Sequence, residues 1–245
     1  RGDLPRALRD LARAAELGPR EWYPLRVLAR VHLAAGQLPE SRAALDRALE
    51  RFPDGPILLL DRAQVLLALG ESQRALEDAR KLSALAPENP QAAHLHGVIA
   101  LTGGQIAEAR QQLERAVELA PQLPDPRMAL ARLKGMQGET DAERALLEAS
   151  LQQSPKHLGL ALDLSSFFLR QPTADSLARA AEIARQGLAH HPDDAGLHLN
   201  LALALRESAP VDALPHARRA AASTKPGIAE QAKRLIDVLE PSAPA

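Results

Sequence analysis

The sequence has no cysteine, and tryptophan, tyrosine and phenylalanine together make up only 2% of its 245 residues. A chain without cysteine forms no disulfide, no thiolate metal site and no covalent haem attachment, and it suits the cytosol and the periplasm equally. With so few aromatic rings, aliphatic side chains must fill the interior. Hydrophobic residues make up 46% of the sequence and are mainly alanine and leucine, which are strong helix formers. The composition therefore predicts a helical protein and leaves its compartment open.

The chain also lacks an excess of charge and a long apolar run. Its 30 basic and 31 acidic residues give a formal net charge of −1, so the chain as a whole has neither the basic footprint of a nucleic-acid-binding protein nor a polybasic membrane patch. No stretch reaches the roughly 18 consecutive apolar residues that a membrane-spanning helix needs. We expect neither a nucleic-acid partner nor insertion into a membrane.

Proline and glycine, in contrast, recur at a fixed spacing of 34 residues. A constant period between about 20 and 50 residues is typical of a stacked array, in which each unit buries its apolar face against its neighbours. We therefore expect the repeat itself to define the fold. The prolines are Pro19, Pro53, Pro87, Pro121 and Pro155, and the glycines are Gly2, Gly36, Gly70, Gly104 and Gly138.

Each repeat is predicted to form a helical hairpin. In one repeat the helices are Ile57 to Leu69 and Ser72 to Ala86, with Gly70 between them. A glycine with positive φ ends the first helix and lets the chain reverse within a few residues. Pro87 ends the second helix, because proline cannot continue a helix.

We predict a single domain over residues 1–240, made of about seven hairpins, of which the first lacks its first helix. The spacing from Pro155 to Pro192 is 37 residues, three more than the period. The surplus falls near 170–176, where the turn glycine is missing. An insertion between the two helices of a hairpin lengthens a loop without disturbing the stacking.

The two ends of the chain are predicted to differ. Residues 229–240 have one apolar and one polar face, as a terminal capping helix requires, and residues 241–245 are predicted to be a disordered tail. The helix from Leu4 to Leu17 presents leucines with no preceding helix to cover them. We therefore expect further repeats, or a further domain, of the same chain upstream of Arg1.

Small residues recur at three positions of each repeat, where they let neighbouring helices approach closely. Together with the 34-residue period, this pattern resembles the tetratricopeptide repeat family. The resemblance implies an all-α fold, a right-handed superhelical solenoid of stacked helix-turn-helix repeats. Leu82 and Glu143 depart from the pattern, because they occupy positions that are small in the family. The small positions include Ala29, Ala63, Gly97, Ala131, Ser165 and Ala202 in first helices, and Ser41, Ala75, Ala109, Ala48, Ala116 and Ser150 in second helices.

The resemblance also implies a binding surface, because the first helices of such hairpins line a concave groove. Apolar residues among scattered charges suit the recognition of a peptide or protein segment with hydrophobic anchors. The alternative is that the apolar members only complete the packing between repeats. The candidate groove residues are Tyr23, Arg26, Arg30, Leu60, Asp61, Gln64, His94, Val98, Met128, Arg132, Asp163 and Asn200.

Within this set, we expect Arg30 and Asp61 to form an ion pair across adjacent repeats. Some members of the family grip a C-terminal carboxylate with a clamp of lysine, asparagine and arginine. Here Asp61 and Leu95 stand where the clamp needs asparagine and arginine. We therefore reject that specialisation.

No motif for catalysis or for a cofactor occurs in the sequence: nucleophile elbow, phosphate-binding loop, dinucleotide fingerprint and zinc-protease signature are all missing. His94 and His96 are two residues apart on a predicted helix and so point to different faces. We therefore predict no catalytic residue, no cofactor and no metal site.

The sequence thus favours a protein-interaction scaffold that binds a peptide or protein partner. Two alternatives remain open. One is a regulatory or substrate-presenting arm of a larger enzyme, such as a glycosyltransferase; the other is a scaffold for secretion or assembly in a bacterial envelope. The bias toward alanine, leucine and arginine suggests a GC-rich bacterial source.

Overall fold

The protein is described here by a computed structural model, which covers residues 4–18 and 21–240. The turn residues Gly2 and Pro19 and the predicted tail 241–245 lie outside the described residues. Within them all regular structure is α-helical, which confirms the predicted all-α class. The helices are α1 (Leu4–Leu17), α2 (Tyr23–Ala34), α3 (Leu38–Arg51), α4 (Pro56–Ala68), α5 (Ser72–Leu85), α6 (Pro90–Thr102), α7 (Ile106–Leu119), α8 (Pro124–Met136), α9 (Thr140–Gln153), α10 (Leu158–Leu169), α11 (Ala174–His190), α12 (Ala195–Leu205), α13 (Pro210–Ala221) and α14 (Pro226–Leu239).

The chain divides into two compact units, unit 1 (Arg1–Ala129) and unit 2 (Leu130–Ala245), with the boundary inside α8. In unit 1, the helices pack as hairpins in the pairs α2 and α3, α4 and α5, and α6 and α7. In unit 2, the corresponding pairs are α10 with α11 and α12 with α13, and α14 packs on α12 and α13. In the described part of the chain, no helix is long and apolar enough to cross a membrane.

The glycine turns have the predicted backbone geometry. In the turn after α4, the Gly70 amide donates to the Leu67 carbonyl (3.0 Å) and the Glu71 amide to the Leu66 carbonyl (2.9 Å). This Schellman arrangement needs a left-handed residue at the glycine position. A Cβ added at Gly70 would meet no atom within 4 Å, so the glycine is required by its backbone conformation and not by lack of space. The four turn glycines, Gly36, Gly70, Gly104 and Gly138, have φ of 75°, 78°, 74° and 77°.

Both units have aliphatic cores, in agreement with the composition. The small positions bring helices into close contact: a Cβ on Gly97 would lie 2.6 Å from the Leu113 side chain, and one on Gly187 would lie 2.8 Å from Leu197. The core of unit 1 includes Leu25, Leu45, Leu59, Ala63, Leu66, Ala79 and Ile99, and that of unit 2 includes Ala180, Ala184, Leu201, Ala204, Ala213, Ala217 and Leu235.

The insertion in the α10–α11 hairpin differs in detail from the predicted extra loop near 170–176. The structure begins α11 at Ala174, inside that segment. Thr173 and Ser176 form a reciprocal capping box: Thr173 Oγ1 accepts from the Ser176 amide (3.1 Å) and Ser176 Oγ from the Thr173 amide (2.8 Å). Side-chain capping thus starts the helix early and confines the connection to Arg170–Thr173.

Glu143, at a position that is usually small, is accommodated by a neighbouring glycine. Only 6% of Glu143 is exposed, and its carboxylate accepts a hydrogen bond of 2.5 Å from Arg170. A Cβ on Gly135 of α8 would clash with that carboxylate. Arg170, the residue after α10, therefore neutralises a buried acid that Gly135 leaves room for.

Candidate protein-interaction surface

The first helices of unit 1 place several predicted groove residues at equivalent positions. Arg30, Gln64 and Val98 lie 34 residues apart on α2, α4 and α6, and Leu60, His94 and Met128 do the same on α4, α6 and α8. Arg30 and Gln64 are exposed, whereas Leu60, His94, Val98 and Met128 are half-buried. Tyr23 at the start of α2 is 59% exposed. We call this set the first-helix face of unit 1; it combines apolar patches with few exposed polar groups.

Asp61 forms its ion pair with Arg26, so the expected pairing with Arg30 is wrong. Arg26 Nε lies 2.6 Å from Asp61 Oδ2, and the two side chains are only 17% and 15% exposed. Arg26 and Arg30 are one turn apart on α2, and Asp61 takes the one in the more buried position, where the attraction between the charges is less screened. Arg30 remains exposed, and no ion-pair partner for it occurs among residues 4–18 and 21–240.

In unit 2, the equivalent arginine is paired. Arg132 donates two hydrogen bonds, from Nε and Nη2, to the Asp163 carboxylate at 3.0 and 2.9 Å. Arg132 and Asp163 occupy the positions of Arg30 and Asp61, three repeats later. At the position of Arg26, α8 carries Met128, which does not compete for the carboxylate. The residue at this position, arginine in α2 and methionine in α8, thus decides which arginine pairs with the aspartate.

Asn200, another predicted groove residue, is likewise engaged within unit 2. It is 8% exposed, and its Nδ2 donates to Ser165 Oγ (2.8 Å) and Ser166 Oγ (3.0 Å) of α10. Allowing for the three-residue insertion, it occupies the position of Asp61 and Asp163. At this position, a polar side chain therefore reaches back from one first helix to the preceding one in all three cases.

Tyr23 and Arg30 border an open cleft on α2. The cleft has a volume of about 500 Å³, and its other lining residues include Val27, Val31 and Ala34. The two polar-tipped side chains lie two helical turns apart, so they project from the same face of α2. The chain's single tryptophan, Trp22, packs edge-on against Tyr23 with 6.0 Å between the ring centroids.

His94 contributes an uncharged side chain to the first-helix face of unit 1. Burial lowers the pKa of its imidazole below the ordinary value of 6.5, and the carboxylate of Asp125 opposes this only in part. At neutral pH His94 is therefore neutral. Apart from the Arg26–Asp61 pair, the exposed cation on this face is Arg30.

A polar network that the sequence analysis missed joins α5, α6 and α7. His96, 4% exposed, lies with Nδ1 3.0 Å from Ser83 Oγ and with Nε2 2.8 Å from Glu108 Oε1. Arg80 donates to both oxygens of Glu108, at 2.7 and 2.6 Å. Arg80, with a smaller contribution from His96, lowers the pKa of Glu108 to about 2. The signal in the sequence was an arginine and a glutamate 28 residues apart, which places them on successive second helices.

This network has the connectivity of a serine–histidine–acid triad but not the surroundings that acyl transfer needs. A triad works with backbone amides that stabilise an oxyanion. Ser83 lies inside α5, where the neighbouring backbone amides donate within the helix. Even the amide of Ala86, the residue after the helix, donates to the Leu82 carbonyl (2.9 Å), so it does not point at an oxyanion. We therefore assign the network to the packing of three helices.

Repeated helical hairpins with left-handed glycine turns define the class of the molecule as a helical repeat protein. Comparison with known proteins names the family. The family model described as "Tetratricopeptide repeat" matches residues 1–56 and 60–124, and the structure resembles a tetratricopeptide repeat protein from Parabacteroides merdae ATCC 43184. The chain belongs to the tetratricopeptide repeat family.

Three similar proteins illustrate how far the likeness extends. The P. merdae protein is 21% identical, with a TM-score of 0.76 over 97% of this chain and 93% of that one. YrrB, described as a repeat protein with an unusual peptide-binding site, is 19% identical, with a TM-score of 0.54 over 76% of this chain and 95% of that one. Mouse DnaJ homolog subfamily C member 3 is 32% identical over 101 residues, 41% of this chain. The match spans only 20% of that relative's length.

Proposed function

We propose that the protein acts as an interaction scaffold, without catalysis, by binding a peptide or protein segment on the first-helix face of unit 1. The observation that carries the proposal is Arg30: an exposed cation with no ion-pair partner in the described residues, beside the cleft that it shares with Tyr23. Leu60, Val98 and Met128 supply half-buried apolar surface.

The chemistry of these side chains favours a segment with apolar anchors and an acidic residue. Tyrosine and arginine are among the residues that contribute most to binding energy at interfaces. A guanidinium can bond a carboxylate through two N–H groups, which adds geometric specificity to the attraction. Asp61 does not compete for Arg30, because it is bound to Arg26.

The description of YrrB, which mentions a peptide-binding site, supports this proposal only through the shared fold. At 19% identity no residue role transfers from one protein to the other. The proposal therefore depends on Arg30, Tyr23 and their apolar neighbours in this chain. It holds equally for a protein of this length and for a binding arm of a longer one.

A peptide selection tests the proposal. Phage-displayed 12-residue peptides are selected on the protein, and the affinity of the best synthetic peptide is measured by calorimetry. We expect selected peptides that combine a carboxylate with apolar residues, and a loss of at least about tenfold in affinity for Arg30→Glu.

Arg47→Glu is the matched control, because Arg47 is an exposed arginine of unit 1 on α3, a second helix. It changes the net charge equally, so a general electrostatic effect would weaken binding in both variants. Equal affinities of the Arg30→Glu and Arg47→Glu variants for the selected peptide would refute the proposed site.

A further inference from the structure

The last hairpin of unit 2 contains a pair of histidines that the binding surface does not use. His198 on α12 is 3% exposed, and His216 on α13 is half-buried. The two rings are stacked, with 5.0 Å between centroids and 28° between planes. Their Nδ1 atoms are 2.8 Å apart, a distance at which one nitrogen must donate a hydrogen and the other must accept it.

The remaining contact of His198 fixes which ring donates. His198 Nε2 lies 2.9 Å from the backbone carbonyl oxygen of Pro192. A carbonyl only accepts, so Nε2 of His198 carries a hydrogen. In neutral His198 the Nδ1 atom is then bare and accepts, which makes His216 Nδ1–H the donor.

This arrangement limits how many protons the pair can hold. A first proton goes to Nε2 of His216, and the contact between the rings survives. A second proton puts hydrogens on both Nδ1 atoms, which then point at each other across 2.8 Å. Two adjacent imidazolium charges also repel each other, so the doubly charged pair must separate.

The surroundings disfavour even the first proton. Burial lowers the pKa of His216, and so do the charges of His198, of Arg219 on α13 and of Arg185 on α11; Asp212 on α13 acts in the opposite direction. Cations from two helices therefore face the pair, against one carboxylate. The unfolded chain, in which histidine has its ordinary pKa, takes up protons more readily.

The helix that carries His216 has weak local support. α13 contains an internal proline, Pro215, and no side chain caps its N-terminus at Ala209. An internal proline removes a backbone hydrogen bond from the helix. α13 therefore depends on its contacts with α12 and α14, such as the cluster of Ala202, Ala217 and Leu235.

We propose that the His198–His216 pair is a proton-sensitive tie, which holds α13 on α12 at neutral pH and releases it when the pH falls. The tie is present above the ordinary histidine pKa of about 6.5. It weakens as the pH falls below that value, because the pair in the folded state resists protons that the unfolded chain accepts. α13 is then the first helix of the hairpin to open.

Hydrogen exchange of the intact protein at pH 7.5 and pH 5.5, corrected for the intrinsic pH dependence, tests this proposal. We expect protection of α13 to fall by about tenfold more than that of α7. Uptake of one proton shifts the opening equilibrium by at most about tenfold per pH unit, and only the step below about pH 6.5 counts. In His216→Gln, which cannot titrate at this position, this excess should disappear. His32→Gln, which replaces a half-buried histidine of unit 1 that contacts Gln37, should leave it unchanged.

A histidine ring titration by NMR in the unaltered protein decides the question if His216→Gln does not fold. Coupled titration of the two rings, with the pKa of His216 below its ordinary value, supports the tie. Independent titration of both rings near 6.5, or equal changes in the protection of α13 and α7, would overturn it.

Discussion

The two units use the same repeat positions differently. In unit 2, Arg132 binds Asp163 and Asn200 binds the serines of α10, so these polar groups connect successive first helices. In unit 1, Arg26 already binds Asp61, and Arg30 stays exposed. The difference shows that Arg30 has no ion pair within the described residues because Arg26 already holds Asp61, whereas Arg132 pairs with Asp163.

The hairpin turns differ as well, and this difference predicts the largest effect. Gly104→Ala forces a side chain into a left-handed conformation (φ 74°), which should lower the free energy of unfolding by about 1–3 kcal/mol. Gly103→Ala is the control: a Cβ there meets only the carbonyl oxygens of Ile99 and Ala100, at 3.5 and 3.7 Å. Equal urea midpoints for the two variants would contradict the assigned turn geometry. The α10–α11 turn, capped by Thr173, has no such glycine to replace.

Removing the buried Asn200 amide of unit 2 should cost more stability than removing an exposed side chain from the first-helix face of unit 1. Asn200→Ala deletes a buried amide and leaves hydroxyl groups on α10 without their donor, so we expect a loss of about 1–2 kcal/mol in the free energy of unfolding. Gln64→Ala removes an exposed side chain of unit 1 and should change stability by less than about 0.5 kcal/mol. Chemical denaturation measures both, and similar losses would show that the two faces do not differ as described.

Acid should weaken the two units in a defined order. The pKa of His216 is lowered, so its contribution to stability is lost as the pH falls below about 6.5. The pKa of Glu108 is lowered from 4.5 to about 2, so the stabilisation it gives to unit 1 is present above 4.5 and is lost only as the pH falls toward 2. Helix-resolved hydrogen exchange during an acid titration should therefore show loss of protection in α13 before α7. Glu108→Gln should remove the pH dependence of α7 protection between pH 4.5 and about 2. Loss of α7 protection before that of α13 would contradict this order.

The fold was predictable because its determinants are local and periodic. Gly70 and Gly104 need a left-handed conformation for the chain to reverse, and their spacing alone locates the turns. The start of α11 was missed because Thr173 and Ser176, which cap each other, are also residues typical of loops. A reciprocal cap is visible only once both side chains have been placed.

The site was only partly predictable from the sequence. Arg26 and Arg30 lie one turn apart on α2, and the spacing to Asp61 does not decide which of them reaches the carboxylate. The choice depends on burial, which the period does not encode. For the same reason Asn200 resembled a groove residue, although its amide is buried against α10. The Ser83–His96–Glu108 network joins three helices, so no single helical pattern marks it.

Replacing Arg26 with the residue found at the equivalent position of α8 tests the central claim most directly. Arg26→Met gives α2 and α4 the sequence pattern of Met128, Arg132 and Asp163, so Arg30 should now bind Asp61. The measurement is the calorimetric affinity of this variant for the acidic peptide selected on the unaltered protein. We predict a loss of about tenfold, because Arg30 is no longer free. An unchanged affinity, with a crystal structure of the variant showing Arg30 bound to Asp61, would contradict the account.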